Sequence, residues 1–118
     1  MNVYLDNAST SFPKPKSVCD SMYNFIANIG GNSGRSNHTN ALESNRYVFD
    51  TRENIASFFN FPKIENVVFT NNITSSLNIL INGILKKGDH VITSSIEHNS
   101  VIRPLWKLKE AHIIDLDI

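Results

Sequence analysis

Two short polar runs contain the side chains best suited to chemistry. The first, TNNITSS at residues 70–76, lies between a predicted strand and a predicted helix. Backbone N–H groups at a helix start, together with a Thr or Ser hydroxyl, form a site for phosphate or another anion. The same residues also suit a plain helix cap, in which Thr74 serves only its own helix. Composition alone favours the cap, and the absence of glycine and lysine excludes a nucleotide-triphosphatase loop.

The second polar run, SSIEHN at residues 94–99, follows the next predicted strand. His98 in this run could stack on a planar ligand, carry a proton, or lie at the N-terminus of the following helix. Taken alone, the helix-end position is the favoured interpretation. Glu97 and His98 have no companion at metal-ligand spacing, so no metal site is expected.

Composition narrows the classes of function. Eleven Lys and Arg residues balance eleven Asp and Glu residues, and 41% of the chain is hydrophobic, as in soluble globular proteins. The neutral charge gives no reason to expect nucleic acid or a membrane surface as a partner. The single cysteine, Cys19, excludes an internal disulfide and a cysteine-cluster metal site. With no secretory signal and no long apolar run, a cytoplasmic protein is expected.

Strand and helix patterns alternate in the second half of the chain. Extended runs at 66–70, 90–94 and 112–116 are separated by helical stripes at 74–86 and 99–110. This strand–helix–strand–helix–strand order predicts a parallel sheet with right-handed crossovers. Ligands of such sheets bind outside the carboxyl ends of the strands, where both polar runs lie.

The first half of the chain predicts two helices joined by a surface loop. Apolar residues at helical spacing indicate helices at about 15–29 and 41–59. The segment 30–40 between them consists of small polar residues with one Arg and one His, a composition typical of a loop. Two further candidate side chains, Arg35 and His38, lie in it.

Four segments, in order along the chain, resemble cysteine desulfurases and related class V aminotransferases. YLDNASTSFPKP at 4–15 is similar to the family's Asp-Asn-Ala-Ala-Thr opening, and GGNSGRSNH at 30–38 to its glycine- and histidine-containing loop. VVFTNNITSSLN at 67–78 resembles the phosphate-binding strand–turn–helix. SSIEHNSVIRP at 94–104 resembles the segment whose histidine stacks on the cofactor ring. Each segment is weak alone, but the ordered set is specific and covers nearly the whole chain.

The resemblance implies an α/β protein, the N-terminal part of the type I pyridoxal-phosphate-dependent transferase fold, with an incomplete, mostly parallel sheet and flanking helices. Residues 1–40 would form an N-terminal arm, a helix and an active-site loop. Residues 41–118 would form the first part of a truncated cofactor-binding large domain. The family's strand order further implies that the strand at 66–70 lacks its neighbours here, whereas the strands at 90–94 and 112–116 can pair.

The resemblance also implies roles for individual residues. Ile73 and Thr74 would hold the phosphate of pyridoxal 5'-phosphate through backbone N–H groups and the Thr74 hydroxyl. His98 would stack on the pyridine ring as the catalytic histidine. The substrate pocket would include Asn7, Ala8, Ser9, Arg35 and His38.

Two positions depart from the family pattern. Asn72 stands where the family often has a glycine in the phosphate turn, and Asn tolerates left-handed backbone geometry better than most residues. The proline expected near Gly34 is absent.

The implied activity is cysteine desulfuration, which converts cysteine to alanine and leaves a persulfide on the enzyme. The implied partners are a small amino acid substrate and a second copy of the full-length chain. A selenocysteine lyase, another class V aminotransferase and a truncated, non-catalytic partner subunit are the alternatives. The Schiff-base lysine, a ring-binding aspartate and a reactive cysteine all come later in this family. The 118 residues alone are therefore expected to be inactive. They are also expected to be poorly stable, because the strand at 66–70 would have an unpaired apolar edge.

Overall fold

The computed structural model describes residues 3–8, 10–34 and 37–118, which divide into two compact units at Val67 and Val68. The first unit contains three helical elements: α1 (Lys16–Asn24) continued by a π-helix (Phe25–Ile29), α2 (Thr39–Phe58) and a 3-10 turn (Ile64–Asn66). The second unit contains α3 (Ile73–Ile84), β1 (Asp89–Ile92), α4 (Asn99–Glu110) and β2 (Ile114–Asp117). The predicted division after residue 40 follows the family's functional regions and stays a prediction.

The first predicted helix is confirmed, but its last turn is widened. The Gly30 N–H donates to the carbonyl oxygen of Phe25 at 2.9 Å, five residues back. Gly30 then takes a left-handed conformation with φ of 50°, which glycine adopts without steric cost. The helical segment therefore ends at Ile29, as the sequence predicts.

The loop after the π-helix lies directly against the start of α2. The Asn40 side-chain amide donates to the carbonyl oxygen of Ile29 at 2.8 Å. A Cβ atom built on Gly31 would lie 2.5 Å from the carbonyl carbon of Asn40. Phe25 and Tyr47 add an edge-to-face ring contact with centroids 5.4 Å apart. Close backbone approach at Gly31 thus fixes the entry into α2.

The second unit is built on two parallel strands. β1 pairs with β2 in the register Val91 to Leu116, as predicted for the runs at 90–94 and 112–116. Along β2, Ile114 and Leu116 are buried and the residues after each are exposed, the alternation expected of a strand with one covered face. These two side chains and Leu105 of α4 form the core, and the partly buried residues packed on it are Ile81, Leu85, Val91, Val101, Leu108 and Ile113.

The first of the three predicted strands, at 66–70, is not formed, so the predicted five-element alternation is wrong at its first element. The expectation that this segment lacks its strand neighbours is confirmed. The backbone of Val67 is extended, with φ of −80° and ψ of 107°. Within the described residues, however, the sheet consists of β1 and β2 alone, and residues 66–70 pair with neither strand. A strand exists only through hydrogen bonds to a neighbour. The second unit therefore begins with a helix.

No helix in the described part of the chain combines the length and the apolar character that crossing a membrane needs.

Candidate functional site

Helices α3 and α4 line an open groove of about 440 Å³ in the second unit. Thr74, Asn78 and Asn82 line it from α3, and His98, Ser100 and Arg103 are among the residues lining it from α4. Thr74 and His98 come from separate motifs 24 positions apart in the sequence. The structure therefore brings together the two side chains that the sequence singled out most strongly.

The start of α3 is capped by Asn72 and not by Thr74. The Asn72 side-chain oxygen accepts from the Ser75 N–H at 2.8 Å. Asn72 is extended, with φ of −167°, so its role here is capping and not the left-handed geometry that its place in the phosphate turn suggested. The interpretation of Thr74 as a simple cap is therefore wrong.

The cap leaves the first donors of α3 available. Ile73 and Thr74 are the first two residues of the helix, and the N–H groups of a first turn have no carbonyl partner within their own helix. Thr74 is exposed and lines the groove, which adds a hydroxyl beside these N–H groups. The positive end of the helix dipole adds to their attraction for an anion. This helix start can hold a phosphate.

Side-chain hydrogen bonds also hold the turn before α3 in shape. The Thr70 hydroxyl donates to the carbonyl oxygen of Asn72 at 2.9 Å and contacts the Ser76 hydroxyl. The Ser75 hydroxyl donates to the Asn72 side chain at 3.1 Å. The donors of the first turn are thus oriented before any ligand arrives.

His98 caps α4, as one of its three sequence interpretations predicts. Its Nδ1 atom accepts from the Ser100 N–H at 3.1 Å. A ring nitrogen that accepts from a backbone N–H carries a lone pair, so the proton of the neutral ring lies on Nε2. The cap involves only Nδ1 at the edge of the imidazole ring and leaves both faces of the ring free of this contact. Capping is therefore compatible with stacking on a planar ligand.

Sequence reasoning missed Ser100, the second residue of α4. It is 6% exposed, and its hydroxyl lies 2.9 Å from His98 Nδ1. The available signal was its spacing, because an N-cap side chain contacts the residue two or three positions later.

Positive charge accompanies the groove on its α4 side. Arg103 and Lys107 both line it, and their spacing of four residues places them on one face of the helix. Both are exposed. The groove therefore suits a ligand that carries negative charge.

Two of the remaining predicted side chains, Asn7 and His38, make local contacts in the first unit. The Asn7 side-chain oxygen accepts from the Phe12 N–H at 3.0 Å and closes a turn of the N-terminal arm. His38 caps α2, and its Nδ1 accepts from the Ala41 N–H at 3.4 Å. Ala8 is exposed. The substrate pocket stays a prediction, and two of its residues, Ser9 and Arg35, lie outside the described residues.

The sequence of this chain is similar to those of known proteins. The family Aminotransferase class-V matches residues 3–118. The chain belongs to the class-V aminotransferase family. Probable cysteine desulfurases from Methanothermobacter thermautotrophicus and Ureaplasma parvum are 36% and 33% identical to this class-V chain. Each match covers 92% of the chain and 27% of the relative. The chain thus spans about a quarter of the length of the curated relatives it matches.

A solved structure similar to this chain confirms the predicted fold. The apo cysteine desulfurase from Thermococcus onnurineus superposes with a TM-score of 0.85 at 29% sequence identity. The match covers 98% of this chain and 29% of that one. The α/β arrangement described above is therefore the N-terminal part of the type I fold.

Proposed function

We propose that the protein is a pyridoxal-phosphate-dependent cysteine desulfurase whose cofactor binds at the groove between α3 and α4. One observation carries this proposal: Thr74 and His98 line the same groove in a class-V aminotransferase chain. The relatives in M. thermautotrophicus and U. parvum are named probable cysteine desulfurases, which supports cysteine as the amino acid substrate.

The residues present fit pyridoxal phosphate, which joins an anionic phosphate to a flat pyridine ring. For the phosphate, the groove offers the N–H groups of Ile73 and Thr74 and the Thr74 hydroxyl. For the ring, it offers the imidazole of His98. A volume of about 440 Å³ is that of an ordinary small-molecule site. Shape and chemistry therefore agree.

Phosphate binding would rest on hydrogen bonds and not on a lysine-rich loop. A hydrogen bond to a charged group contributes about 1.5–3 kcal/mol. The helix end adds about 0.3–1 kcal/mol for a negative charge in its first turn. Asn72 caps the Ser75 N–H, so the N–H groups of Ile73 and Thr74 are left for a ligand. The N-terminus of α3 would thus fix one end of the cofactor.

His98 would contact the pyridine ring of the cofactor and donate a proton. A stacked pair of aromatic rings contributes about 0.5–1.5 kcal/mol beyond the burial of area. When bound, pyridoxal phosphate supplies the electron sink for bond changes at the α-carbon of the amino acid. His98 Nε2 carries the proton of the neutral ring and is the atom that would donate it toward the reacting groups.

Several parts of the proposal rest on the family resemblance. Asn7, Ala8, Ser9, Arg35 and His38 would border the substrate pocket. The lysine that anchors the cofactor and the cysteine that accepts sulfur would lie outside these 118 residues. The full-length enzyme would be a cytoplasmic homodimer.

The test uses the full-length protein that contains these residues. We expect it to bind pyridoxal phosphate with a visible absorption band and to release alanine from cysteine in step with sulfide under reducing conditions. Activity on selenocysteine alone would replace the proposal with a selenocysteine lyase, and transfer of an amino group to a keto acid would replace it with an aminotransferase. A protein that binds no pyridoxal phosphate would overturn the cofactor site itself.

The non-catalytic alternative has its own control. The 118-residue chain is mixed with a full-length homologue and analysed by size-exclusion chromatography with activity assays across the peaks. The desulfurase proposal predicts that the 118 residues add no activity to the homologue. A stable mixed complex with changed activity would favour a partner subunit instead.

A further inference from the structure

We propose that Ser100 is a positioning residue that fixes the tautomer and the orientation of the His98 ring. This inference rests on the proposed function, because His98 is the group that would meet the cofactor. Two atoms of Ser100 contact the same ring nitrogen: the backbone N at 3.1 Å and the hydroxyl oxygen at 2.9 Å from Nδ1.

The direction of both hydrogen bonds follows from the backbone. A peptide N–H can only donate, so Nδ1 must present a lone pair to it. The Ser100 hydroxyl at the same nitrogen then also donates. Two donors on Nδ1 disfavour the tautomer with a proton there, so the proton is held on Nε2. The Ser100 hydroxyl thus reinforces the Nε2–H tautomer that the backbone N–H favours, and with it the ring atom that can donate toward the groove.

The hydroxyl does more than the cap requires. Capping α4 needs one acceptor at His98 Nδ1 and one backbone N–H, and alanine at position 100 would keep both. Ser100 is only 6% exposed, and a buried hydroxyl is costly unless it is hydrogen-bonded. Its partner is the ring that the proposed function uses. A second hydrogen bond from a buried, helical residue also restrains rotation of the imidazole.

The first measurement is the tautomer of His98 in the full-length protein without cofactor. Long-range nitrogen–proton NMR of ¹⁵N-histidine-labelled protein reports which ring nitrogen is protonated. We expect the Nε2–H tautomer in the wild type and in Ser100→Thr, which keeps the hydroxyl. Ser100→Ala keeps the backbone donor but loses the hydroxyl, so we expect a weaker preference for Nε2–H, seen as a measurable share of the Nδ1–H tautomer or as exchange broadening. The control is Ser57→Ala, which removes an exposed serine hydroxyl from α2 and leaves His98 unchanged.

The second measurement is steady-state turnover of the cofactor-loaded enzyme. Losing one restraining hydrogen bond predicts a fall in kcat of about fivefold for Ser100→Ala. KM and the affinity for pyridoxal phosphate should be nearly unchanged, because the phosphate would bind at Ile73 and Thr74. Ser100→Thr should restore kcat. If Ser100→Ala does not fold, Ser100→Thr and Ser100→Val, which are alike in shape, give the same comparison.

The outcomes separate this inference from the proposed function. A wild type that binds no pyridoxal phosphate overturns the function, while the NMR data on the cofactor-free protein still test the Ser100–His98 contact. A folded Ser100→Ala protein with the wild-type tautomer and the wild-type kcat overturns the role of Ser100. An altered tautomer with lowered kcat and rescue by threonine supports it.

Discussion

Histidine and asparagine cap the three helices that have side-chain caps in the described part of the chain. His38 caps α2, Asn72 caps α3 and His98 caps α4. For His98 this means that one side chain has a structural contact at Nδ1 and a proposed chemical role through its ring. The two contributions can be separated, because asparagine is a good N-cap and has no aromatic ring.

The first prediction, which rests on the proposed function, compares His98→Asn with His98→Ala in the full-length protein. His98→Asn should keep the thermal stability of the wild type because it keeps the cap, yet lose at least tenfold in kcat because the ring is gone. His98→Ala should lose activity and also about 1 kcal/mol of stability with the cap. Melting curves and alanine release measure the two effects. Normal turnover by His98→Asn would show that the ring has no role in the reaction.

The second prediction concerns the Thr74 hydroxyl. Removing one hydrogen bond to a phosphate predicts that Thr74→Ala binds pyridoxal phosphate about tenfold or more weakly. Thr74→Ser keeps the hydroxyl at the same helix position and should bind like the wild type. Absorbance titration of the cofactor-free enzyme measures both affinities. Equal affinity for Thr74→Ala and Thr74→Ser would place the phosphate elsewhere.

At the scale of elements, each helix start depends on a few side-chain or backbone contacts. Asn72 satisfies the Ser75 N–H of α3, and Gly31 lets the preceding loop approach the backbone at the start of α2. Neither contact involves a large apolar side chain. The stability of these helix ends is therefore sensitive to single atoms.

The third prediction tests the cap of α3. Asn72→Ala should destabilise the protein by about 1 kcal/mol, because the Ser75 N–H loses its acceptor. The neighbouring exposed residue supplies the control, and Asn71→Ala should leave stability within about 0.5 kcal/mol of the wild type. Denaturant unfolding of the full-length protein gives both values. Equal destabilisation by the two variants would argue against the cap.

The fourth prediction tests the close approach at Gly31. A Cβ atom there would lie 2.5 Å from backbone atoms of Asn40, so Gly31→Ala should cost about 1–3 kcal/mol. At Gly34 the nearest atom to an added Cβ is a side-chain oxygen of Asn32 at 3.3 Å, which can move. Gly34→Ala should therefore be much milder. The thermal unfolding midpoints of the two variants decide between them.

At the scale of the whole chain, the apolar core is small and many large apolar side chains face solvent. The buried hydrophobic residues among those described are Ala41, Ala56, Leu105, Ile114 and Leu116. By contrast, Leu5, Phe58 and Ile96 are 88%, 83% and 92% exposed. The apolar stripe of the first helix is only partly covered: Val18, Met22 and Ile26 are exposed, whereas Phe25 and Ile29 are partly buried. Exposed apolar area of this kind marks surfaces that bind other protein segments or aggregate.

The fifth prediction follows for the 118 residues expressed by themselves. We expect them to bind the hydrophobic dye ANS, to unfold without a sharp transition, and to show no desulfurase activity. The full-length protein at the same concentration is the control and should bind little dye. A cooperative melt together with stoichiometric binding of pyridoxal phosphate by the 118 residues would contradict this expectation.

Local patterns in the sequence determined most of the helices and the two polar turns. Helix α4 occupies 99–110 as predicted, because apolar spacing and polar boundaries are properties of the segment itself. The order of motifs also indicated the family, and the match over residues 3–118 confirms it.

Tertiary structure decided the features that require contact with another segment of the chain. The run at 66–70 has strand-forming residues but is not a strand, because pairing needs a neighbour that propensity does not supply. Asn72 and not Thr74 caps α3, since backbone geometry chooses among adjacent cap-forming residues. Thr74 and His98 line one groove only because the chain packs α3 against α4. The contact of Ser100 with the His98 ring is instead local, between residues two positions apart. Sequence spacing names the residues, and only chain packing sets the distances between them.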